Sequence, residues 1–185
     1  MRTFIAIEIP SEIKSALATL QTELRRAGAD VSWTKPENLH LTLKFLGEVD
    51  ERRIVEIEKA CVSLAAEFQP FTLSLDNTGV FPNVRQPRVI WAGLSGEIGN
   101  VVEMHRRLDE RLALTGFKRE EKGFHPHLTI GRIKSNKKTR ELIALADMYQ
   151  LPALSFAVTE IVLMKSELRP AGAEYSPMLK AYLNK

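Results

Sequence analysis

A short pattern, His-x-Thr, occurs twice in the chain, at residues 40–42 and at residues 127–129. Each copy lies in a run where polar and apolar residues alternate, which is typical of a β-strand with one buried face. The two copies are 87 residues apart, close to half of the 185-residue chain. This spacing indicates an internal repeat and therefore constrains the chain to fold as two similar αβ units.

Hydrophobic periodicity predicts the same order of elements in both halves: strand, helix, His-x-Thr strand, helix, strand. In the first half, we expect these elements near residues 2–9, 11–28, 39–45, 51–68 and 71–75. In the second half, we expect them near residues 88–94, 98–115, 127–130, 139–148 and 156–164. Residues 79–87 are predicted to be a loop that joins two lobes, and the tail over residues 170–185 is predicted to be irregular.

The composition excludes several classes of protein. Hydrophobic residues make up 44% of the chain and charged residues 26%, which is typical of a globular protein and not of a disordered or fibrous one. No apolar run approaches the roughly 20 residues that a membrane-spanning helix needs. The single cysteine, Cys61, excludes an internal disulfide and a multi-cysteine metal site, and we expect an intracellular location. The net charge of +3 permits a nucleic-acid partner without requiring one.

The two His-x-Thr pairs are predicted to face a cleft. Residues two apart in a strand point to the same face, so His40 and Thr42 share one face, as do His127 and Thr129. The apolar residues between them take the opposite face, which must be buried under helices. In a pseudo-symmetric repeat, the two polar faces would bring two imidazoles and two hydroxyls to opposite walls of one cleft.

This set of groups suits a displacement at phosphorus. A neutral imidazole can take a proton from water, and an imidazolium can give one to the leaving oxygen. Threonine hydroxyls can donate to the non-bridging phosphate oxygens, and no metal is required. A single histidine on a polar strand face is more often a simple hydrogen-bonded residue. Two of them at matching positions of a repeat favour catalysis.

The remaining histidines are weaker candidates. His125 lies two residues before His127, so the two could be metal ligands, but no carboxylate or cysteine stands nearby at ligand spacing. His105 lies near the apolar stripe of its helix and is interpreted as structural. A catalytic metal is therefore not expected.

Two cations lie further along the His-x-Thr strands. Lys44 shares the face of His40 by strict alternation and could meet a phosphate. The same alternation places Arg132 on the face opposite to His127, unless a bulge at Gly131 reverses the parity.

A basic run and three aromatic residues leave two interpretations open. The run is either a solvated surface or a track for an RNA backbone, and it contains Lys134, Lys137, Lys138 and Arg140. The aromatic residues are either core residues or surfaces that stack on a base, and they are Phe4, Trp33 and Phe81.

Five segments together resemble the two-histidine phosphoesterase superfamily, most closely its RNA 2′,3′-cyclic phosphodiesterase branch, also called 2′-5′ RNA ligase. The segments are FIAIEIP (4–10), HLTLKFLG (40–47), GVFPNVRQPRVIWAGL (79–94), FHPHLTIGR (124–132) and VLMKSELRPAGAEY (162–175). The resemblance implies an α+β fold in a single bilobal domain over residues 1–185, with two pseudo-symmetric antiparallel sheets and outer helices around a central cleft. It also implies metal-independent hydrolysis of RNA 2′,3′-cyclic phosphate ends to 2′-phosphomonoesters, and 2′-5′ ligation as the reverse reaction.

The resemblance also implies roles for particular residues. His40 would donate a proton to the leaving oxygen, and His127 would accept one from water. Thr42 and Thr129 would hold the phosphate. The family places an arginine five residues after the second histidine of the motif, where Arg132 stands, and Phe4 would stack on the terminal base.

From the resemblance we expect no cofactor, a cytoplasmic monomer without a membrane partner, and RNA with a 2′,3′-cyclic phosphate end, such as a tRNA fragment, as the partner. Two alternatives remain open at this point. One is a non-catalytic module that binds RNA ends. The other is a phosphodiesterase for small cyclic nucleotides or 2′-5′ oligonucleotides.

Overall fold

The computed structural model describes residues 1–170 and 172–184, which form nine β-strands and four α-helices. The strands are β1 (Arg2–Glu8), β2 (Val31–Trp33), β3 (His40–Glu48), β4 (Phe71–Phe81), β5 (Val89–Gly96), β6 (His127–Ile133), β7 (Ser155–Val158), β8 (Glu160–Arg169) and β9 (Gly172–Tyr182). The helices are α1 (Ser11–Arg25), α2 (Ile54–Ala65), α3 (Ile98–Leu114) and α4 (Thr139–Met148). Within these residues, no helix combines the length and the apolar character needed to cross a membrane.

All strands belong to one antiparallel sheet with two similar halves. The order is β7-β4-β5-β6-β3-β1-β8-β9, and β2 adds to β6. The first His-x-Thr half contains β3, β1, β8 and β9, and the second contains β6, β5, β4 and β7. The halves meet in the middle of the sheet, where Leu41 of β3 pairs with Leu128 of β6. The predicted α+β class is confirmed, and the two predicted sheets are joined through this pair.

The helices cross between the halves. Helix α1 precedes β3 in the chain but packs beside α4, which covers β4 of the second half. Helix α3 precedes β6 but packs on β3 and beside α2, which covers β8 and β9. The buried stripe of α1 is the predicted one and contains Ile13, Leu17, Leu20 and Leu24. Each His-x-Thr strand is therefore supported by the helix that precedes the other His-x-Thr strand in the chain.

Three of the predicted elements were wrong. Residues 79–87 do not form a loop between the two halves, because 79–81 belong to β4 and the rest connects β4 to β5 of the same half. The apolar run 156–164 is not one strand: it changes half at Thr159, because Val158 pairs with Phe71 of β4 whereas Glu160 pairs with Tyr182 of β9. The tail is not irregular, since Gly172–Tyr182 forms β9 in a hairpin with β8. Pro177 is tolerated there because β9 is an edge strand and the register shifts beside it. Ala171 and Lys185, also part of that tail, lie outside the described residues.

Candidate active site

The two His-x-Thr pairs lie side by side at the junction of the halves. Because Leu41 pairs with Leu128 in antiparallel register, His40 lies across from Thr129, and Thr42 lies across from His127. Both leucines are 0% exposed on the helix-covered face, which leaves the four polar side chains on the open, concave face, each partly buried. Alternation correctly predicted that each histidine shares a face with its threonine, and the two pairs lie on neighbouring strands of one sheet rather than on opposite walls of a cleft.

Each imidazole is held in the same way, by a backbone carbonyl just before its own strand begins. The Nδ1–H of His40 donates to the carbonyl of Asn38 at 2.7 Å, and the Nδ1–H of His127 donates to the carbonyl of His125 at 2.6 Å. A carbonyl can only accept a hydrogen bond, so Nδ1 carries the proton in both rings. Nε2 of each ring is therefore the nitrogen that is available for proton transfer.

His40 is enclosed by aromatic rings. Phe4 stacks on it with ring centroids 4.7 Å apart, and Tyr175 meets it edge-on at 5.3 Å. Burial, opposed by the hydrogen bond to the Asn38 carbonyl and helped by the positive charge of Lys14, lowers the pKa of His40 to about 4. His40 is consequently neutral at neutral pH in the free protein.

His127 lies in a similar but more open aromatic setting. Phe81 meets its ring edge-on at 5.0 Å, and the ring of Trp91 lies 6.4 Å away. Burial lowers the pKa of His127 as well, and the nearby His125 and Arg132 lower it further. The pKa of His40 is the more strongly lowered of the two.

The structure corrects the expectation that Phe4 stacks on a base. Its side chain is only 2% exposed, because it packs with Ala6, Val162 and Met164 in a small apolar cluster on the concave side. The ring packs on His40, and the part of it that stays exposed is too small for a base to stack on. The open aromatic ring beside it is Phe45, which is 59% exposed with its centroid 5.9 Å from that of Phe4.

A β-bulge in β6 determines where Arg132 points. Trp91 pairs with Thr129 and Ile90 pairs with Gly131, so Ile130 is the extra residue. The parity of the strand reverses there, and the exposed Arg132 joins the face of His127. Strict alternation was wrong for this residue, and the bulge expected beside Gly131 is present.

A matching bulge in β3 has the opposite effect on Lys44. Ala6 pairs with Thr42 and Ile5 pairs with Lys44, so Leu43 is the extra residue. Lys44 turns into the interior, where it is 4% exposed. Its Nζ lies 2.5 Å from Asp109 Oδ1 and donates to the carbonyl of Lys118 at 3.0 Å. The expectation that Lys44 meets a phosphate was wrong.

Sequence reasoning missed Phe45 and Tyr175. Phe45 lies five residues after His40, where strict alternation predicts the buried face, and the bulge turns it outward. Tyr175 belongs to the tail that was expected to be irregular. Its inclusion in the closing segment 162–175 of the resemblance was the signal that could have found it.

Comparisons with known proteins agree with this architecture. The model of the family described as LigT-like phosphoesterase matches residues 7–91 and 93–175. An RNA 2′,3′-cyclic phosphodiesterase of Methanothermobacter thermautotrophicus is 35% identical over 179 residues, 96% of either chain. One from Methanocaldococcus jannaschii is 39% identical over 176 residues, 95% of this chain and 96% of the relative.

Solved structures of relatives have the same fold. TT0787 of Thermus thermophilus superposes with a TM-score of 0.82 at 30% identity, covering 99% of this chain and 98% of the other. Escherichia coli LigT complexed with 3′-AMP superposes with a TM-score of 0.75 at 30% identity, covering 100% and 98% of the two chains. The chain belongs to the family of LigT-like phosphoesterases.

Proposed function

We propose that the protein hydrolyses the 2′,3′-cyclic phosphate end of RNA to a 2′-phosphomonoester without a metal ion. The observation that carries this proposal is the facing pair of His-x-Thr strands, in which both rings keep Nε2 free for proton transfer. The names of the relatives from Methanothermobacter and Methanocaldococcus support the substrate class.

The cyclic phosphate would lie between the two rings. Nε2 of His127 takes a proton from a water molecule while the water oxygen attacks phosphorus. The bond from phosphorus to O3′ breaks, and Nε2–H of His40 gives its proton to that oxygen. The hydroxyls of Thr42 and Thr129 donate to the non-bridging oxygens, and Arg132 offsets their negative charge. When a 5′-hydroxyl takes the place of water, the same ring opening forms a 2′-5′ bond.

The donor role of His40 depends on the charge of the substrate. In the free protein the pKa of His40 is about 4, which keeps its ring neutral near pH 7. A bound phosphodiester carries a negative charge close to the ring and raises the pKa of both histidines. Protonation of His40 would therefore accompany substrate binding.

A decisive first experiment uses a short RNA that ends in a 2′,3′-cyclic phosphate, incubated with the protein in excess EDTA. We expect an RNA 2′-phosphate as the product. Binding without turnover would support the RNA-end-binding module instead. Turnover that EDTA abolishes would support His125 and His127 as metal ligands.

The direction of proton transfer has its own test. A nucleoside phosphodiester with a p-nitrophenyl leaving group needs no proton donor, because p-nitrophenolate is a stable anion. With this substrate, His40→Ala should recover most of the rate that it loses on the cyclic phosphate, whereas His127→Ala should remain inactive. Recovery by His127→Ala alone would reverse the two roles.

The surface around the site supports RNA rather than a small cyclic nucleotide as the substrate. The basic cations Lys137, Lys138 and Arg140 lie at the start of α4, in the helix layer. Four other exposed cations lie in β6 or in the segments that adjoin the ends of β5 and β6, and no ion pair is recorded for them within the described part of the chain. They are Arg85, Arg88, Arg132 and Lys134. If RNA phosphates meet them, affinity for a substrate of about 10 nucleotides should fall steeply with salt, and affinity for a cyclic mononucleotide should fall much less.

The opposite end of the concave face offers a place for a nucleobase of the RNA. A cavity of about 240 Å³ lies there, and Phe4, Phe45, Glu48 and Tyr175 are among its lining residues. The exposed ring of Phe45 is the surface on which a base would stack, in place of Phe4. The proposal also includes a monomeric protein in the cytoplasm, with RNA ends such as tRNA fragments as partners.

A further inference from the structure

The carbonyls of the two bulge residues both accept hydrogen bonds from polar side chains of helices, and that of Ile130 also accepts from the backbone N–H of Thr34. In β3, the carbonyl of Leu43 accepts from Nδ1–H of His105 on α3 at 2.8 Å. In β6, the carbonyl of Ile130 accepts from Nε2 of Gln21 on α1 at 2.8 Å. Leu43 and Ile130 each stand three residues after a motif histidine. His105 and Gln21 are therefore pseudo-equivalent, and each holds the His-x-Thr strand of the other half.

His105 has a second contact that Gln21 lacks. Its ring stacks on that of Phe124, with centroids 4.0 Å apart and planes at 7°. Phe124 stands one residue before His125, whose carbonyl holds Nδ1–H of His127. Gln21 instead donates to the carbonyl of Thr34 at 2.7 Å, on the same half as Ile130. Only His105 of these two links the strand of His40 to the segment that orients His127.

The segment before His127 depends on such contacts because residues 117–126 form no helix or strand. Two further contacts tie it to the same region of β3 and α3. Lys44 Nζ donates to the carbonyl of Lys118 at 3.0 Å, and Asp109 Oδ1 accepts from the backbone N–H of Glu120 at 3.0 Å. Residues 117–126 are thus held by contacts with the bulge of β3 and with one face of α3.

We propose that His105 is a positioning residue, which fixes the separation and orientation of His40 and His127 without touching substrate. The proposal rests on the function proposed above, since the two rings must reach one phosphorus atom together. A displacement of about 1 Å between reacting groups can cost on the order of 100-fold in rate. The side chain of His105 is 9% exposed, bonds the bulge three residues after His40 and stacks on the residue before His125, so it is placed to prevent such a displacement.

Three substitutions separate the two contacts of His105. His105→Phe keeps the stack on Phe124 and loses the hydrogen bond to Leu43. His105→Asn keeps a donor for Leu43 and loses the stack. His105→Leu loses both contacts. We expect kcat on the cyclic phosphate to fall about 10- to 100-fold for His105→Leu and less for the other two, with a smaller change in KM.

The matched control is Val101→Ala on the same face of α3. Val101 is 0% exposed and, having neither a hydrogen-bond donor nor a ring, makes neither of the two contacts described for His105, so its truncation lowers Tm through a cavity and should leave kcat within about twofold. If His105→Leu lowers kcat no more than Val101→Ala at a similar loss of Tm, or changes KM alone, His105 is structural only and the proposal is wrong.

A second measurement keeps this outcome distinct from a failure of the proposed function. Ring-nitrogen NMR signals of His127 report its orientation and hydrogen bond without any turnover. His105→Leu should shift them and Val101→Ala should not. A wild-type protein without phosphodiesterase activity overturns the function alone. Unshifted His127 signals in His105→Leu overturn the positioning role, whatever the activity of the wild type.

Discussion

The two halves of the sheet repeat their catalytic groups and differ in the residues beyond them. Both contain a His-x-Thr strand, a bulge three residues after the histidine, and a helix side chain that donates to the carbonyl of the bulge residue. The next two residues are Lys44 and Phe45 in one half and Gly131 and Arg132 in the other. The groups proposed for catalysis are thus arranged symmetrically, whereas the residues that would bind the rest of the substrate are not.

Strand direction turns this difference into a polarity of the site. Because β3 and β6 are antiparallel, the residues after each histidine extend to opposite ends of the cleft. Phe45 therefore marks an aromatic end and Arg132 a cationic end. A nucleotide placed across the junction would find a surface for its base on one side and a positive charge for its phosphates on the other.

The residue at each bulge matches the space behind it. A Cβ on Gly131 would lie 2.7 Å from Cγ1 of Val31, since β2 covers that part of β6. Among the described residues, no added strand pairs with β3 in the way that β2 pairs with β6, and Lys44 extends inward to Asp109. The added strand β2 in one half and the buried ion pair in the other are two ways of closing the same gap.

The largest expected effect comes from removing either ring. His40→Ala and His127→Ala should each lower kcat by about 10²- to 10⁴-fold, because each removes one proton-transfer step. The double variant should be little worse than the worse single variant, since the two groups act as a unit. Single-turnover rates and thermal unfolding would be measured for all three. A single variant with a nearly wild-type rate would break the proposed symmetry of the chemistry.

Substitutions at the two bulges should have the next largest effect. The loss of unfolding free energy should differ between the two halves. Lys44→Met leaves the 8% exposed Asp109 without its buried partner, which should cost about 3 kcal/mol of unfolding free energy. The low end of the usual range applies because Arg119 remains 3.5 Å from Asp109 Oδ2. Gly131→Ala should cost about 1–3 kcal/mol through overpacking against Val31. Urea unfolding measures both.

The double variant Lys44→Met/Asp109→Leu is the control for the ion pair. It removes both charges and should recover most of the stability that Lys44→Met loses. If Gly131→Ala proved as costly as Lys44→Met or more so, the buried ion pair would not be the stronger of the two supports.

How far the sequence predicts this site depends on the range of the interactions involved. Alternation is local to one strand, so it correctly placed His40 with Thr42 and His127 with Thr129. A bulge depends on the neighbouring strand, so alternation failed for Lys44 and Arg132, which lie beyond the bulges. The strand β9 was missed for the same reason, because its existence depends on pairing with β8 around Pro177.

The two ends of the cleft should separate in binding experiments. Phe45→Ala should weaken RNA binding by about 1–3 kcal/mol, the usual range for loss of a stacked base, and should leave the salt dependence unchanged. Arg132→Ala should instead reduce the slope of log K against log salt by about 0.7, the value for one phosphate contact on a single strand. Fluorescence anisotropy with a non-hydrolysable analogue of the RNA end would measure both. Equal salt slopes for the two variants would remove the distinction between the ends.

The smallest expected effect concerns the acidity of the two rings. Because burial lowers the pKa of both histidines from 6.5, the bell-shaped pH profile of kcat/KM in the free enzyme should have its maximum below pH 6.5. The lower limb belongs to the more strongly perturbed His40, whose pKa is about 4, and the upper limb to His127. The positive charge of Lys14 lowers the pKa of His40 and not that of His127, and the positive charge of Arg132 lowers the pKa of His127 and not that of His40.

Two charge removals should therefore move different limbs of that profile. Lys14→Gln removes a positive charge near His40, which raises its pKa and shifts the lower limb to higher pH. Arg132→Gln does the same for His127 and shifts the upper limb to higher pH, whatever it does to the absolute rate. Each variant leaves the other limb in place, because screening by solvent limits the charge of each cation to the ring beside it. A single substitution that moved both limbs together would mean that the two rings titrate as one coupled pair, and the comparison of two independently tuned halves would fail.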